Sequence, residues 1–311
     1  MSTNPFAILR LPESALRKSI NQMGLMEQFS LSVLSNKTKH AVTMLPEVKN
    51  DVSITMTSSL ELLLSNHSQD VDFIFEMDSH YPNVEIRQRF DNARCRFTQL
   101  SIPGFTVKHW IEHIVDVFCK NQGVALIFES IMRERFYELY EIIKNIKIVH
   151  LEPFSSQIQD YQRLTLFPSL EWLTVIGVDE APIGTPILIQ NFEGFIIFPN
   201  IQWKIDDVLI SNFSNLRMWH RTFSVQDLNL FMRQWIKGSM PRLEEFDVIL
   251  SHSNQHKLVE TDLFKSIKYT VKENENCKIN VIKRRDGAKA SVCFGGKSSY
   301  EFHFTVESEP D

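Results

Sequence analysis

His109 and His113 stand four residues apart in a stretch, Val107 to Phe118, whose apolar residues recur with helical spacing. Histidines at i and i+4 share one helix face and can bind zinc. No glutamate follows His109 in an HExxH arrangement. Cys119, six residues past His113, falls about 240° round the helix and cannot complete a site locally. Two histidines on a helix flank are the plainer reading, and His252 and His256, in a polar stretch, are read the same way. Gly296-Lys297-Ser298 imitates the tail of a phosphate loop, but that loop needs a glycine five residues earlier, where Ser291 stands, and a helix after it rather than a strand. No GxSxG, GxGxxG or acidic calcium loop occurs, and ten glycines are too few for extensive phosphate cradles. No catalytic residue, metal ligand or cofactor is assigned, because no nucleophile, base and orienting group come together in the pattern.

Composition points the same way. A chain of 311 residues with 43% hydrophobic residues can bury a core, and its length suggests two domains. A net charge of -5 leaves no nucleic-acid footprint, and Lys283-Arg284-Arg285 reads as a solvated strand end. Cys95, Cys119, Cys277 and Cys293 lack CxxC spacing. The opening MSTNPFAILRLPESALRK has no long uncharged core, and no run of about 18 apolar residues is present. The expectation is a reducing compartment, cytoplasm or nucleus, with no membrane span. Trp110, Trp172 and Trp235 fit core faces; Trp203 and Trp219 flank strands or loops, where core or rim packing is expected, and an exposed one would be a partner anchor.

The elements that must position any site are clearest from Val208 to Leu250. Ser224 suits an N-cap with Asp227 in the first turn; Leu228, Phe231, Met232 and Trp235 lie at i, i+3, i+4 and i+7; Gly238 and Pro241 end the helix. Phe246, Val248 and Leu250 alternate as in a strand. With Val208-Leu209-Ile210 taken as the preceding strand, the unit is strand, loop, helix, strand, and its strands are expected to be parallel neighbours. Upstream, two or more strands are expected between Asp51 and Arg96, helices at about 106–120 and 131–145, and strands near 126, 148 and 174. Leu170-Glu171-Trp172-Leu173-Thr174-Val175 and Leu243-Glu244-Glu245-Phe246-Asp247-Val248 share an L-x-x-L-x-L rhythm. The expected fold is α/β, with irregular leucine-rich-repeat-like strand–helix units over about 100–250. A compact α/β or α+β sheet is the rival. Residues 251 to 275 read as a polar loop with one helical turn. Asp286-Gly287 and Gly295-Gly296 then turn a C-terminal antiparallel β-meander of three strands over about 277–306.

Before all this lie three short helices in about forty residues. Leu16, Ile20 and Met23 mark the first, Gly24 breaks it, Met26 to Leu34 form the second, and Ser35 caps a third that Pro46 ends. So small a unit needs a neighbour or a partner. The stretch Phe6 to Leu45, with its Leu-Pro signature and spaced Leu/Ile positions, resembles an F-box. Ser211 to Leu250, with DLNLFMRQWIKGSMPRLEEFDV, resembles the type 2 F-box associated domain of the large nematode F-box B family, and the order of the two is the family's order.

The resemblance implies an F-box at 5–46 and an associated substrate-binding region at 51–306. It implies a non-catalytic adaptor that binds the Skp adaptor of a Skp–cullin–F-box ubiquitin ligase and captures an unknown protein substrate. Leu9, Leu11, Pro12, Leu16, Ile20, Leu25 and Phe29 would form the shared interface; the third helix lacks the tryptophan many F-boxes carry there. Substrate choice is expected around residues 180 to 200 and Asn212 to Phe223, with Trp203, Trp219, Arg221 and Phe223 as contacts. The alternative is a binding scaffold without a ubiquitin role, in which the F-box-like segment caps the repeat core.

Overall fold

The computed structural model describes residues 8–45, 50–57, 59–76, 83–90, 94–120, 122–128, 133–152, 166–176, 185–198, 203–220, 223–250, 258–274, 277–295 and 301–307. The chain divides into two compact units, Met1–Val149 and His150–Asp311. Among the described residues no helix is long and apolar enough to cross a membrane.

The first unit begins with α1 (Glu13–Asn21), α2 (Leu25–Ser32) and α3 (Asn36–Thr43). Ser35 caps α3: its hydroxyl accepts from the Thr38 amide, and Thr38 returns the bond to the Ser35 amide. Then come β1 (Asp51–Met56), β2 (Leu60–Ser65), β3 (Asp70–Phe75), β4 (Val84–Phe90) and β5 (Arg94–Leu100), paired antiparallel in sequence order. The stretch expected to hold at least two strands therefore holds a five-stranded meander. α4 (Val107–Ile114) runs into a wider five-residue turn, Val115–Cys119, and β6 (Val124–Phe128) returns parallel to β1. α5 (Arg133–Ile143) follows. Strict alternation puts Ile54, Leu62 and Phe73 on one fully buried face, which the helices cover.

The second unit takes up β7 (Ile148–Glu152) and continues through β8 (Trp172–Val175), α6 (Thr185–Leu188), β9 (Gly194–Ile197), α7 (Ile205–Ile210), β10 (Asn215–His220), α8 (Val225–Lys237) and β11 (Glu245–Leu250). β7 to β11 lie side by side in sequence order, each pair parallel. They begin at residues 148, 172, 194, 215 and 245. Two expectations change here. Val208-Leu209-Ile210 is not a strand but part of α7, started by Asp207, whose carboxylate accepts from the Lys204 amide at 2.8 Å. The strand before α8 is β10, so the strand–helix–strand unit stands with a different first strand. The segment around 180–200, where substrate choice is expected, holds α6 and β9, with Ile187, Leu188 and Phe195 buried; residues 177–184 and 199–202 lie outside those described.

α8 follows its sequence signals. Ser224 and Asp227 form a reciprocal cap, and Gly238 ends the helix at φ 104°, in the left-handed region that favours glycine. After α9 (Glu260–Leu263) the end of the chain is a four-stranded meander, one strand more than expected: β12 (Tyr269–Asn274), β13 (Cys277–Lys283), β14 (Lys289–Phe294) and β15 (Glu301–Val306). β15 pairs antiparallel with β11 and so joins the meander to the parallel row. Phe231 packs 4.7 Å from Phe246 and 5.1 Å from Phe304, and Trp235 5.1 Å from Phe304. These aromatic contacts seat α8 on one face of β11 and β15.

Candidate functional site

Two surfaces are candidates, one in each unit. The first is the outer side of the N-terminal helices. A single tight helical turn, Ile8–Arg10, leads to Pro12, which sits before α1 at φ -53°, ψ 146° and accepts the Leu16 amide at 2.9 Å. Of the seven positions expected to meet a partner, Leu9, Leu11 and Leu16 are half-buried and Pro12 is exposed. Ile20, Leu25 and Phe29 belong to the unit's own core, at 0%, 3% and 0% exposure. Their assignment to a shared interface is corrected by that burial. The Phe29 ring meets Phe73 of β3 edge-on at 4.6 Å and lies 6.1 Å from Trp110 of α4. Sequence reasoning missed Leu34 and Met44, which are 73% and 45% exposed. The signal was there: Leu25, Phe29 and Ser32 in α2, and Thr38, Val42 and Leu45 in and just after α3, form inward i, i+4, i+7 rows from which Leu34 and Met44 are absent.

Polar contacts hold these helices to the rest of the unit. Ser32 donates its hydroxyl to the Phe29 carbonyl at 2.7 Å, so the His113 Nε2–H, 2.8 Å away, donates to Ser32 Oγ. Burial, aided by Lys39, pushes the His113 pKa down to about 4, with Asp116 opposing. Lys39 pairs with Asp116 at 3.1 Å, Lys120 donates to the Leu45 carbonyl at 3.0 Å, and the Leu25 amide donates to Gln69 Oε1 at 2.7 Å. His109 instead bonds through Nδ1 to Thr106, the residue that caps α4. The two histidines of the candidate zinc pair thus have separate structural partners, and among the described residues no group of three His, Cys, Asp or Glu side chains could hold a metal ion.

The second surface belongs to the parallel row. The four residues expected to meet a substrate separate. Trp203 and Phe223 are both 3% exposed, and Trp203 stacks on Phe195 at 5.7 Å, within the core under the helices. That burial corrects their assignment as contacts. Arg221 lies outside the described residues. Trp219 alone points away from the helices, half-buried, its ring stacked on Phe198 at 4.6 Å. Beside it on that face, pairing register sets Arg217 across from Asp247, Asp247 across from His303, Trp219 across from Ile249 and Ile249 across from Glu301. Arg217 stands 3.5 Å from both Glu245 and Asp247; His303 stands 3.0 Å from Asp247 and 3.5 Å from Glu301. At the far side of the row His150 Nε2 and Thr174 Oγ1 bond at 2.9 Å, and burial lowers the His150 pKa.

Family models match the chain at two places: the F-box domain at residues 8–50 and the F-box associated domain at residues 185–248. The first covers α1 to α3; the second covers α6 to β11, the part of the row that carries the open face. The chain is also similar to F-box associated domain-containing protein sdz-33 of Caenorhabditis elegans, with 35% identity over 99% of this chain and 100% of that protein. No solved structure matches it.

Proposed function

Given that the chain belongs to the F-box proteins that carry an F-box associated domain, we propose that it is the substrate-recognition adaptor of a Skp–cullin–F-box ubiquitin ligase. F-box domains bind the Skp adaptor, and both families are typically non-catalytic adaptors. In this reading the N-terminal helices dock the Skp adaptor through Leu9, Leu11, Pro12 and Leu16, joined by the exposed Leu34 and Met44. The row of short strand–helix units at 148–250 is a leucine-rich-repeat-like array that captures the protein target. Such an adaptor needs no reacting group, because tethering raises the local concentration of the target near the ubiquitin-loading machinery. It would work in the cytoplasm or nucleus, where that machinery resides. The observation that carries the reading is the burial of Phe29 against Phe73, which leaves Leu34 and Met44, just past α2 and α3, exposed.

The test is co-expression with a Skp adaptor and co-purification, beside a Leu11→Asp, Leu16→Asp double variant whose folding is checked by thermal melting. A complex formed by the wild type and lost in a folded variant is the expected result. A folded wild-type chain that does not bind overturns the adaptor reading. In that case the alternative, a scaffold whose N-terminal helices serve as a structural cap, draws on the same packing of Phe29 against Phe73.

A further inference from the structure

The outer edge of the C-terminal meander is open. β12 stands last in the strand order and pairs with β13 alone, so among the described residues no strand meets its outer amides and carbonyls. It is six residues long and contains no proline, so the whole edge can pair. Alternation divides its side chains. Tyr269 and Val271 stand opposite Ile282 and Asn280, which are buried on the helix side, and Thr270 and Lys272 turn the other way. The start of α9 lies over the helix side: Glu260 accepts from the Tyr269 hydroxyl at 3.0 Å, and the Phe264 ring stands 4.4 Å from that of Tyr269. Even so, Tyr269, Val271 and Val259, the residue before α9, are 38%, 45% and 48% exposed. An unpaired strand edge and exposed apolar side chains therefore share one rim.

We propose that a second copy of the chain pairs along this rim, β12 antiparallel to β12, about a two-fold axis centred on Val271. The register follows from the residues. A two-fold axis perpendicular to the sheet returns each face to itself, so one residue must face its own copy and its neighbours pair outward from it. Centred on Val271, the pairing sets Val271 against Val271 and Thr270 of each copy against Lys272 of the other. Lys272 keeps its bond to Glu307 at 3.1 Å, and the exposed Tyr269 and Val259 of both copies gather on one side of the axis. Other centres fail. Thr270 at the centre sets Lys272 against Lys268, and Lys272 or Glu273 at the centre sets like charge on like. Tyr269 at the centre leaves the two strands overlapping only at their first residue. The copy thus supplies what the rim needs: an apolar side chain opposite Val271 and an uncharged one opposite Lys272. One strand edge is a small interface, so the dimer comes apart on dilution. The pairing does not rest on the adaptor reading.

Sedimentation velocity of the full chain over a range of concentrations tests the pairing, with the Skp adaptor bound if it binds and alone if it does not. The expected outcome is an apparent mass that doubles as concentration rises. Val271→Lys, which places two cations face to face on the axis, should abolish the doubling and leave the melting temperature unchanged, since the site is exposed. Val271→Cys tests the register and stands in if Val271→Lys does not fold. Facing residues of an antiparallel pair are within disulfide reach, so this variant should give a disulfide-linked dimer under copper–phenanthroline oxidation. Thr270→Cys, which faces Lys272 rather than itself, should link no more than the wild type, run beside it to account for the native cysteines. A wild type that stays monomeric, a Val271→Lys variant that still dimerises, or a Val271→Cys variant that links no more than Thr270→Cys overturns the proposal. Failure to bind the Skp adaptor with dimerisation intact would overturn only the adaptor reading.

Discussion

The N-terminal helices and the open face of the parallel row both show apolar side chains to solvent, for different physical reasons. In the helices the inward rows are filled by residues that meet partners far along the chain: Phe29 on Phe73 and Trp110, Ser32 on His113. Leu34 and Met44 are what remains outside those rows. In the row no distant partner is needed to set the faces, because alternation alone sends Phe246 one way and Asp247 the other. There the apolar side chains are interleaved with charge. Charge reaches both surfaces: Arg17 pairs with Glu13 on α1, and Arg217 and His303 pair with Asp247 in the row.

The contrast can be tested by breaking each side. Phe29→Ala should destabilise the first unit most, by about 3–5 kcal/mol, since it empties a site lined by Phe73 and Trp110. Leu34→Ala, in the turn just after the same helix, should change stability by no more than about 0.5 kcal/mol. Denaturant unfolding of the two variants measures both, and equal costs would mean that the inward and outward rows are not distinct.

In the row, a Cβ added at Gly194 would fall on the Trp172 ring. Gly194→Ala should therefore cost about 1–3 kcal/mol, as overpacking does. A neutral result would show that Trp172 swings aside freely. The next effect depends on pH. His113 titrates near 4 in the folded chain and near 6.5 when unfolded, so the unfolded chain binds more protons between those values. Stability contributed by the neutral imidazole is present above pH 6.5 and is lost as pH falls toward 4. Thermal melts across that range should show a fall that His113→Gln flattens. A single cap has a smaller effect than the core sites: Ser224→Ala should lower stability by about 1 kcal/mol, because the α8 cap loses its hydroxyl acceptor.

Much of the second unit was legible in the sequence where local chemistry decides local structure. The cap of α8, the turn at Gly238 and the strand β11 follow from side chains a few residues apart. β10 and β9 were missed for a physical reason. Asn215-Leu216-Arg217-Met218-Trp219-His220 carries a large aromatic and a charge on its open side, so its alternation is blurred. Gly194-Phe195-Ile196-Ile197 is only four residues long. Val208-Leu209-Ile210 has strand-like side chains, yet the cap at Asp207 draws it into a helix.

The candidate sites divide the same way. Sequence alone determined that the chain has three short amphipathic N-terminal helices and a capped helix between parallel strands. These depend on spacing, and spacing is written in the chain. Which apolar residues face inward was decided by tertiary structure. Ile20, Leu25 and Phe29 look no different in sequence from Leu11 and Leu16, and Trp203 no different from Trp219. Burial depends on what packs against a side chain from elsewhere in the chain: Phe73 is 44 residues beyond Phe29, and His303 is 56 beyond Asp247. No periodicity within one element carries that information.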